Sequence, residues 1–97
     1  MAKRLTDAER NSALAALKGW TLVAGREAIA KRFTFADFSA AFGFMTRAAL
    51  AAERLNHHPE WANIWNKVDV TLATHDAGGL TALDIAVAQE LDKIAGQ

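Results

Sequence analysis

The spacing of apolar residues changes period along the chain, and this change constrains the fold more than any other feature. Residues 68–74 alternate strictly, with Val68, Val70 and Leu72 facing one way and polar or small residues between them facing the other. Strict alternation predicts a β-strand that buries one face. Elsewhere the spacing lengthens to about 3.6 residues, which predicts helices. The chain is therefore expected to mix strands with helices.

Three segments show the helical period, near residues 6–18, 36–55 and 81–95. Each begins with residues that can cap a helix, because a Thr hydroxyl and an acidic side chain three positions later can satisfy free backbone N–H groups. The pairs are Thr6 with Glu9, Thr34 with Asp37, and Thr81 with Asp84. In the second helix an apolar stripe is predicted to face the sheet: Phe38, Phe42, Met45 and Ala49.

Two β-hairpins are predicted between these helices. The first joins residues 20–23 to residues 28–35 through a turn that contains Gly25, and the second joins residues 61–67 to residues 68–74 through a tight turn near Asn66 and Lys67. The predicted class is therefore α+β, in the order αββαββα. A four-stranded antiparallel sheet with three helices packed on one face satisfies this order. The other sheet face would need water or a partner subunit to cover it.

Composition narrows the possible classes of protein. The 97 residues fit a single domain over residues 1–97, and an apolar fraction of 52% can supply its core. Eleven basic residues balance eleven acidic ones, which argues against a nucleic-acid partner. Cysteine is absent, and no apolar run approaches the ~20 residues that span a bilayer. The first ten residues lack the apolar segment of a signal peptide. We therefore expect a cytoplasmic protein without a membrane partner.

All three histidines lie between residues 57 and 75. Pro59 disfavours a helical conformation for His58, so the second helix is expected to end before it. In the second hairpin, residues 59–61 are predicted to pair with residues 73–75, which would bring His75 close to His57 and His58. Glu53, on the last helical turn, would lie beside them.

Three interpretations of this cluster remain open from the residues alone. Histidines at helix ends often only satisfy local hydrogen bonds. Three imidazoles also suit zinc, although adjacent residues of an extended chain point in different directions. Acid–base catalysis without a metal is the third, because imidazoles change charge near neutral pH. Trp20, Trp61 and Trp65 could wall a site for a flat ligand, although core packing is favoured for Trp20 and Trp65.

The histidine segment closely resembles the pterin-4a-carbinolamine dehydratases. The resemblance is strongest from Glu53 to about Ala88 and weaker over the preceding helix, the first hairpin and Trp20. Its most specific part is the His-His-Pro-x-Trp run with a Thr-His pair sixteen residues further on. The residues that carry it are Glu53, Arg54, Leu55, Asn56, His57, His58, Pro59, Glu60, Trp61, Asn66, Lys67, Val68, Thr74, His75, Gly79, Leu80, Thr81 and Asp84.

The resemblance implies an activity and a set of site residues. Members of the family dehydrate 4a-hydroxytetrahydrobiopterin or a related pterin to the quinonoid dihydropterin, and they use no metal or prosthetic group. By resemblance His57, His58 and His75 line the site as its catalytic residues. Within this set we expect His57 and His75 to transfer the protons and His58 to hold the pterin, and the three could exchange these roles. Supporting contacts would come from Glu53, which steadies the imidazoles, and from Asn56, Ala73, Thr74 and Asp76, whose backbone groups could meet the pterin edge.

Two positions depart from the family pattern, and the resemblance also suggests partners. Asn56 stands where aspartate is common, and Trp65 replaces a frequent tyrosine. Family members form dimers or tetramers, and their reaction follows that of an aromatic amino acid hydroxylase. Some relatives bind transcription factors, so the alternative function is a non-catalytic, oligomeric interaction module on the same fold.

Overall fold

A computed structural model describes residues 2–97 of the chain. Its elements follow the predicted order αββαββα. They are α1 (Asp7–Ala16), β1 (Thr21–Leu22), β2 (Ile29–Thr34), α2 (Phe38–Leu55), β3 (Glu60–Ile64), β4 (Lys67–Leu72), a short 3₁₀ turn (His75–Ala77) and α3 (Ala82–Ala95). No helix within residues 2–97 is long and apolar enough to cross a lipid bilayer.

The four strands form one antiparallel sheet in the order β1-β2-β4-β3, which confirms the predicted α+β class. Strand β4 lies between β2 and β3, with Phe33 opposite Val68 in one pair and Glu60 opposite Thr71 in the other. The helices cover one face of the sheet. That face supplies fully buried side chains from the two central strands: Ile29, Phe33, Val68, Val70 and Leu72.

The buried face of α2 differs from the predicted stripe. Phe38 and Phe42 are 50% and 58% exposed, whereas the face against the core is built mainly from alanines and one phenylalanine. Its buried residues are Ala41, Phe44, Ala48, Ala51 and Ala52. Phe44 packs on Phe33, with ring centroids 4.8 Å apart. The prediction was wrong because it followed the largest apolar side chains, whereas small side chains leave room for the helix against the core.

Two of the three predicted capping pairs are confirmed. Thr6 with Glu9 and Thr81 with Asp84 both form reciprocal capping boxes. The third is wrong, because Thr34 is the last residue of β2 and pairs with Lys67 of β4. Helix α2 therefore starts later than predicted, after Asp37, whose carboxylate accepts a hydrogen bond of 2.8 Å from the backbone N–H of Ala40.

The second hairpin turns one residue earlier than predicted, at Trp65 and Asn66. A two-residue turn fixes the register, so Glu60 lies opposite Thr71. The predicted pairing of residues 59–61 with residues 73–75 is therefore wrong. Strand β4 ends at Leu72, and beyond it Thr74 forms a bridge to Gly79 instead.

Candidate functional site

His57 is held at the C-terminal end of α2 by a buried carboxylate. Asn56 ends the helix in the left-handed conformation, with φ 51°, and the backbone N–H of His57 donates to the carbonyl of Ala52 at 3.1 Å. The His57 Nε2 atom lies 2.6 Å from Asp84 Oδ1. The imidazole is 11% exposed and the Asp84 side chain is fully buried. Because Asp84 engages Nε2, a ligand that exchanges a proton with this ring would have to use the other ring nitrogen, Nδ1.

Asp84 is itself fixed by a network of hydrogen bonds. Its Oδ2 atom accepts from the Thr74 hydroxyl at 2.8 Å and from the backbone N–H of Thr81 at 2.9 Å. The hydroxyls of Thr74 and Thr81 lie a further 2.8 Å apart. Both carboxylate oxygens thus have partners, which a buried charge requires. The network ties the start of α3 to the imidazole of His57 and sets the ring's orientation.

His58 has a different acidic partner. Its Nε2 atom lies 2.7 Å from Glu53 Oε1 on the last turn of α2, and both side chains are largely exposed. The sequence predicted that Glu53 would lie beside both His57 and His58. In the structure its hydrogen-bonding contact is with His58. The two adjacent imidazoles are therefore supported separately, one by a buried carboxylate and the other by an exposed one.

His75 begins the 3₁₀ turn after β4, and its side chain is 81% exposed. Its Nε2 atom lies 3.7 Å from Oε2 of Glu60, the first residue of β3. Arg26 donates two hydrogen bonds to the same carboxylate, at 2.9 and 2.8 Å. These bonds are the main cause of a lowered pKa of Glu60, to which the charge of His75 adds a smaller effect, and they raise the pKa of Arg26.

The three histidines line one cleft of about 280 Å³. Its walls come from the end of α2 and from the segment after β4: His57, His58, Ala73, Thr74, His75 and Asp76. Six of the eight predicted site residues therefore lie together. Glu53 lines a neighbouring apolar cleft of about 430 Å³, which shares His58 and includes Trp61. Asn56 lines neither cleft, and its evident role is to end the helix. What these residues do in a reaction stays a prediction.

The tryptophans occupy three different environments. Trp20 is buried, and its indole N–H donates to Asp92 at 3.0 Å, so core packing is confirmed for it. Trp61 lines the apolar cleft beside His58. Trp65 lies at the turn between β3 and β4, 60% exposed, so the preference for core packing is wrong there. This turn is at the opposite end of the hairpin from Glu60.

No group of three His, Cys, Asp or Glu side chains within residues 2–97 is arranged to hold a metal ion. A larger cleft of about 710 Å³ lies between the N-terminal segment and the start of α3. No histidine lines it, and its charged residues are Lys3, Arg4 and Glu9. The groups suited to proton transfer therefore converge on the cleft at residues 57–58 and 73–76.

A family model described as "Pterin 4 alpha carbinolamine dehydratase" matches residues 3–94. The chain belongs to this family. Proteins of Brucella ovis and Brucella canis, both named "Putative pterin-4-alpha-carbinolamine dehydratase", are 61% identical over 93 residues, which is 96% of this chain and 96% of each relative.

Two solved structures of dehydratase-like proteins are also similar. One is a transcriptional coactivator/pterin dehydratase from Brucella melitensis, with a TM-score of 0.95 and 61% identity over 97% of this chain and all of the other. A pterin dehydratase-like protein identified as a RuBisCO assembly factor in the alpha-carboxysome gives a TM-score of 0.70 at 24% identity, covering 81% of this chain and 92% of that one. The second similarity shows the shared fold alone.

Three residues around the histidines of this dehydratase-family chain were not predicted as site residues. Asp84 was predicted as a capping residue of α3 and named, like Glu60, among the residues that carry the family resemblance, but none of Asp84, Glu60 and Arg26 was predicted to act in the site. The sequence signal that could have pointed to Asp84 was its predicted capping box, which lies ten residues after Thr74. Spacing alone, however, does not show that the Asp84 carboxylate is buried. Arg26 lies 34 residues from Glu60, so no local pattern links them.

Proposed function

We propose that the protein is a dehydratase that converts 4a-hydroxytetrahydrobiopterin, or a related 4a-hydroxytetrahydropterin, to the quinonoid dihydropterin and water. The observation that carries this proposal is the convergence of three imidazoles on one cleft, two of them hydrogen-bonded to carboxylates. The membership of the dehydratase family supports it. The reaction would follow that of an aromatic amino acid hydroxylase in the cytoplasm and help to recycle the tetrahydropterin.

The chemistry requires one proton to be given and one to be taken. The bond between C4a and the hydroxyl oxygen breaks, that oxygen gains a proton and leaves as water, and N5 loses its hydrogen as the C4a–N5 double bond forms. We assign these transfers to His57 and His75, because imidazole is the side chain best suited to both giving and taking a proton near neutral pH. His58 would hold the pterin, with Glu53 supporting its imidazole.

The two proposed proton carriers differ in how firmly they are held. Asp84 fixes the ring of His57, so a proton would be exchanged with the substrate at Nδ1. His75 is exposed and its nearest acidic atom is 3.7 Å away, so its ring can turn and exchange protons with water. After each turnover both histidines must regain their starting protonation states. A histidine that exchanges protons with water, beside one held in a fixed orientation, suits this requirement. The backbone groups of Ala73, Thr74 and Asp76 would meet the pterin edge.

The test follows the ultraviolet decay of enzymatically generated 4a-hydroxytetrahydropterin. We expect wild-type protein to accelerate the decay, and His57→Ala or His75→Ala to slow turnover by roughly 10²–10⁴-fold. Arg32→Gln, on the exposed sheet face, is the control and should keep wild-type turnover. If wild-type protein gives no acceleration over buffer, the proposed activity is wrong. Loss of pterin affinity with unchanged kcat would instead assign a binding role to the altered histidine.

We propose that the reaction needs no metal, because proton transfers between imidazoles and substrate account for both steps. Activity should be unchanged after dialysis against EDTA. Inhibition by EDTA that zinc reverses would contradict this part of the proposal and leave the dehydration itself intact.

A second candidate function is a non-catalytic interaction module. The observation that favours it is the exposed apolar side of α2, where Phe42 and Leu50 are 58% and 68% exposed. Activity assays separate the two functions, since an interaction module would show no turnover and would tolerate His57→Ala without losing its partner.

A further inference from the structure

Thr74 is held in place by its own backbone. It follows β4 in an extended conformation, with φ −110° and ψ 100°. Its N–H donates to the carbonyl of Gly79 at 2.8 Å, and its carbonyl accepts from the N–H groups of Ala77 and Gly79 at 3.2 and 3.3 Å. These bonds close the short loop that begins with His75, the next residue along the chain. The Thr74 side chain and the His75 backbone are therefore positioned together.

The hydroxyl of Thr74 belongs to a chain of hydrogen bonds whose direction follows from counting protons. As a carboxylate Asp84 only accepts, so the single hydroxyl proton of Thr74 goes to Asp84 Oδ2, at 2.8 Å. The Thr81 hydroxyl, 2.8 Å away, then donates to Thr74 Oγ1, and it accepts in turn from the N–H of Leu83 at 3.2 Å. Asp84 Oδ1 accepts from Nε2 of His57 at 2.6 Å. The chain therefore runs from the start of α3 through Thr74 to the imidazole.

This direction selects one tautomer of His57. In an uncharged imidazole one nitrogen carries a hydrogen and the other offers a lone pair. Because Asp84 Oδ1 accepts at Nε2, the hydrogen lies on Nε2 and the lone pair on Nδ1, the atom that faces the pterin in the proposed reaction. Thr74 Oγ1 is 3.5 Å from Nε2, at the limit of a hydrogen bond, and its proton is already donated to Asp84. Its effect on the ring therefore passes through the carboxylate.

The Thr74 hydroxyl adds a contact that the burial of Asp84 does not require. Without it Oδ2 would still accept from the backbone N–H of Thr81 at 2.9 Å, and Oδ1 would still contact His57. The capping of α3 needs only the bond to Thr81. The second donor on Oδ2 comes from a different element, the segment after β4, and it holds the carboxylate against rotation. Its effect is therefore expected at the imidazole more than at the start of α3.

We propose that Thr74 is a positioning residue, whose hydroxyl keeps Asp84 turned towards His57 and so holds His57 in the tautomer that presents Nδ1 to the pterin. Because the backbone of Thr74 also closes the loop that begins with His75, one residue positions both proposed proton carriers. The catalytic meaning of this inference rests on the proposed function. The tautomer of His57 can be measured without any substrate.

Two substitutions separate the hydroxyl of Thr74 from its shape. Thr74→Val removes the hydroxyl and keeps a β-branched side chain, which suits the extended backbone there. It should lower kcat by roughly 10-fold to 10²-fold and leave KM within about a factor of two, because the imidazole is misplaced for the reaction and not for binding. Thr74→Ser keeps the hydroxyl without the methyl group and should recover most of the lost kcat. Thr46→Val is the matched control, since the Thr46 hydroxyl donates to the Phe42 carbonyl at 2.9 Å on exposed α2. It should keep wild-type kcat.

The route through Asp84 is tested in two further ways. The ¹⁵N NMR spectrum of the His57 ring, identified with His57→Gln and recorded where the ring is uncharged, should show hydrogen on Nε2 alone in wild type and a mixture of tautomers in Thr74→Val. Adding Thr74→Val to Asp84→Asn should lower kcat by less than about a further twofold, because residues that act through one contact are not additive. Urea denaturation checks that each variant is folded. If Thr74→Val is not, the smaller Thr74→Ala takes its place in every comparison.

A lower kcat in Thr74→Val that Thr74→Ser recovers, together with mixed tautomers of His57, would support the proposal. Wild-type kcat in Thr74→Val, an equal loss in Thr74→Ser, a single unchanged tautomer, or a full additional loss on top of Asp84→Asn would overturn it. If the tautomers change as expected but wild-type protein has no dehydratase activity, the hydrogen-bond chain stands and the proposed function fails. If wild-type protein is active and Thr74→Val is equally active, the inference fails and the proposed function stands.

Discussion

At the scale of single residues, Asp84 joins a structural role to a chemical one. As the third residue of α3 it caps the helix start through the backbone N–H of Thr81, and the same carboxylate contacts Nε2 of His57. A buried carboxylate is costly unless every oxygen is paired, and here both are. The orientation of the proposed proton carrier and the stability of α3 therefore depend on one side chain.

Asp84→Asn should weaken both roles. The amide replaces one accepting oxygen with a donor, so it cannot accept from Thr74 and Thr81 and also contact Nε2 of His57 in the same way. We expect the free energy of unfolding to fall by about 1–3 kcal/mol, the cost of a buried group left without its partner. Turnover should fall at least tenfold at a pH where the variant remains folded. Urea denaturation and the pterin assay measure the two effects.

Asp92→Asn is the matched control for Asp84→Asn. Asp92 is a partly buried acid of the same helix that binds Trp20 and Lys31, not a histidine. Its substitution should reduce stability but leave turnover of the folded protein unchanged. If Asp84→Asn keeps wild-type turnover, orientation of His57 by Asp84 does not matter for the reaction.

How far the sequence predicts the site depends on the distance between partners along the chain. Glu53 and His58 are five residues apart, and their contact was anticipated from the end of a single helix. His57 and Asp84 are 27 residues apart, and their contact depends on how α3 packs beside α2. Spacing and residue type predicted the histidine cluster. They could not predict the carboxylates that reach it from other elements.

At the scale of elements, the end of α2 sets the direction in which the chain enters the histidine segment. Asn56 takes the left-handed conformation there, which costs most residues about 1–2 kcal/mol and glycine very little. Asparagine is among the residues that tolerate it best. Asn56, which stands where the resemblance leads us to expect aspartate, is therefore a residue well suited to ending the helix.

Asn56→Ala should lower the free energy of unfolding by about 1 kcal/mol, whereas Asn56→Gly should stay within a few tenths of wild type. The reason is backbone strain, which alanine suffers at φ 51° and glycine does not. Urea denaturation measures the free energy of unfolding of both variants. Both lack the Asn side chain, so a difference between them reports the backbone conformation alone. Equal stability of the two variants would exclude strain as the role of this position.

The order and type of elements followed from the sequence, but the orientation of α2 did not. The apolar period is a local signal, and it located all three helices and both hairpins, whereas capping residues located the starts of α1 and α3. The buried face of α2 depends on how closely the helix approaches the core, which favours Ala41 and Ala48 over Phe42. The turn of the second hairpin also differed from the prediction. Trp65 in this turn takes φ 50°, a backbone conformation that bulky side chains rarely adopt, so the residue type gave no reason to place the turn there.

At the scale of the whole molecule, the outer side of α2 exposes several large apolar side chains. Phe38 and Phe42 lie four residues apart on one side of the helix, Leu50 lies about two turns further on, and each is at least 50% exposed. Exposed apolar patches often mark interaction sites. A 97-residue chain also gains burial from association. We propose a homo-oligomer that buries this side of α2.

Phe42→Glu should shift the protein towards smaller species in sedimentation velocity, because a charge would have to be buried at the interface. Ile64→Glu is the control, since Ile64 is 73% exposed on β3, away from α2. A monomeric wild-type protein, or equal effects of both substitutions, would contradict the proposed interface.

Acid should destabilise the folded chain partly through three exposed carboxyl groups. The backbone N–H of Thr6 lowers the pKa of Glu9, Arg26 lowers that of Glu60, and Arg32 lowers that of Asp69. A lowered pKa in the folded state means that the unfolded chain binds more protons at low pH. The stabilisation from these groups is therefore present above their ordinary values of 4.5 for Glu and 3.8 for Asp, and it is lost as the pH falls through the folded-state values.

Urea denaturation at pH 7, 4.5 and 3 tests this dependence in wild type and in the triple variant Glu9→Gln, Glu60→Gln, Asp69→Asn. The variant should be less stable than wild type at pH 7, because it lacks the charge-assisted hydrogen bonds of all three carboxylates. It should lose less stability between pH 4.5 and 3, because its amides bind no protons in that range. If the free energy of unfolding falls equally with pH in the two proteins, other groups control acid unfolding.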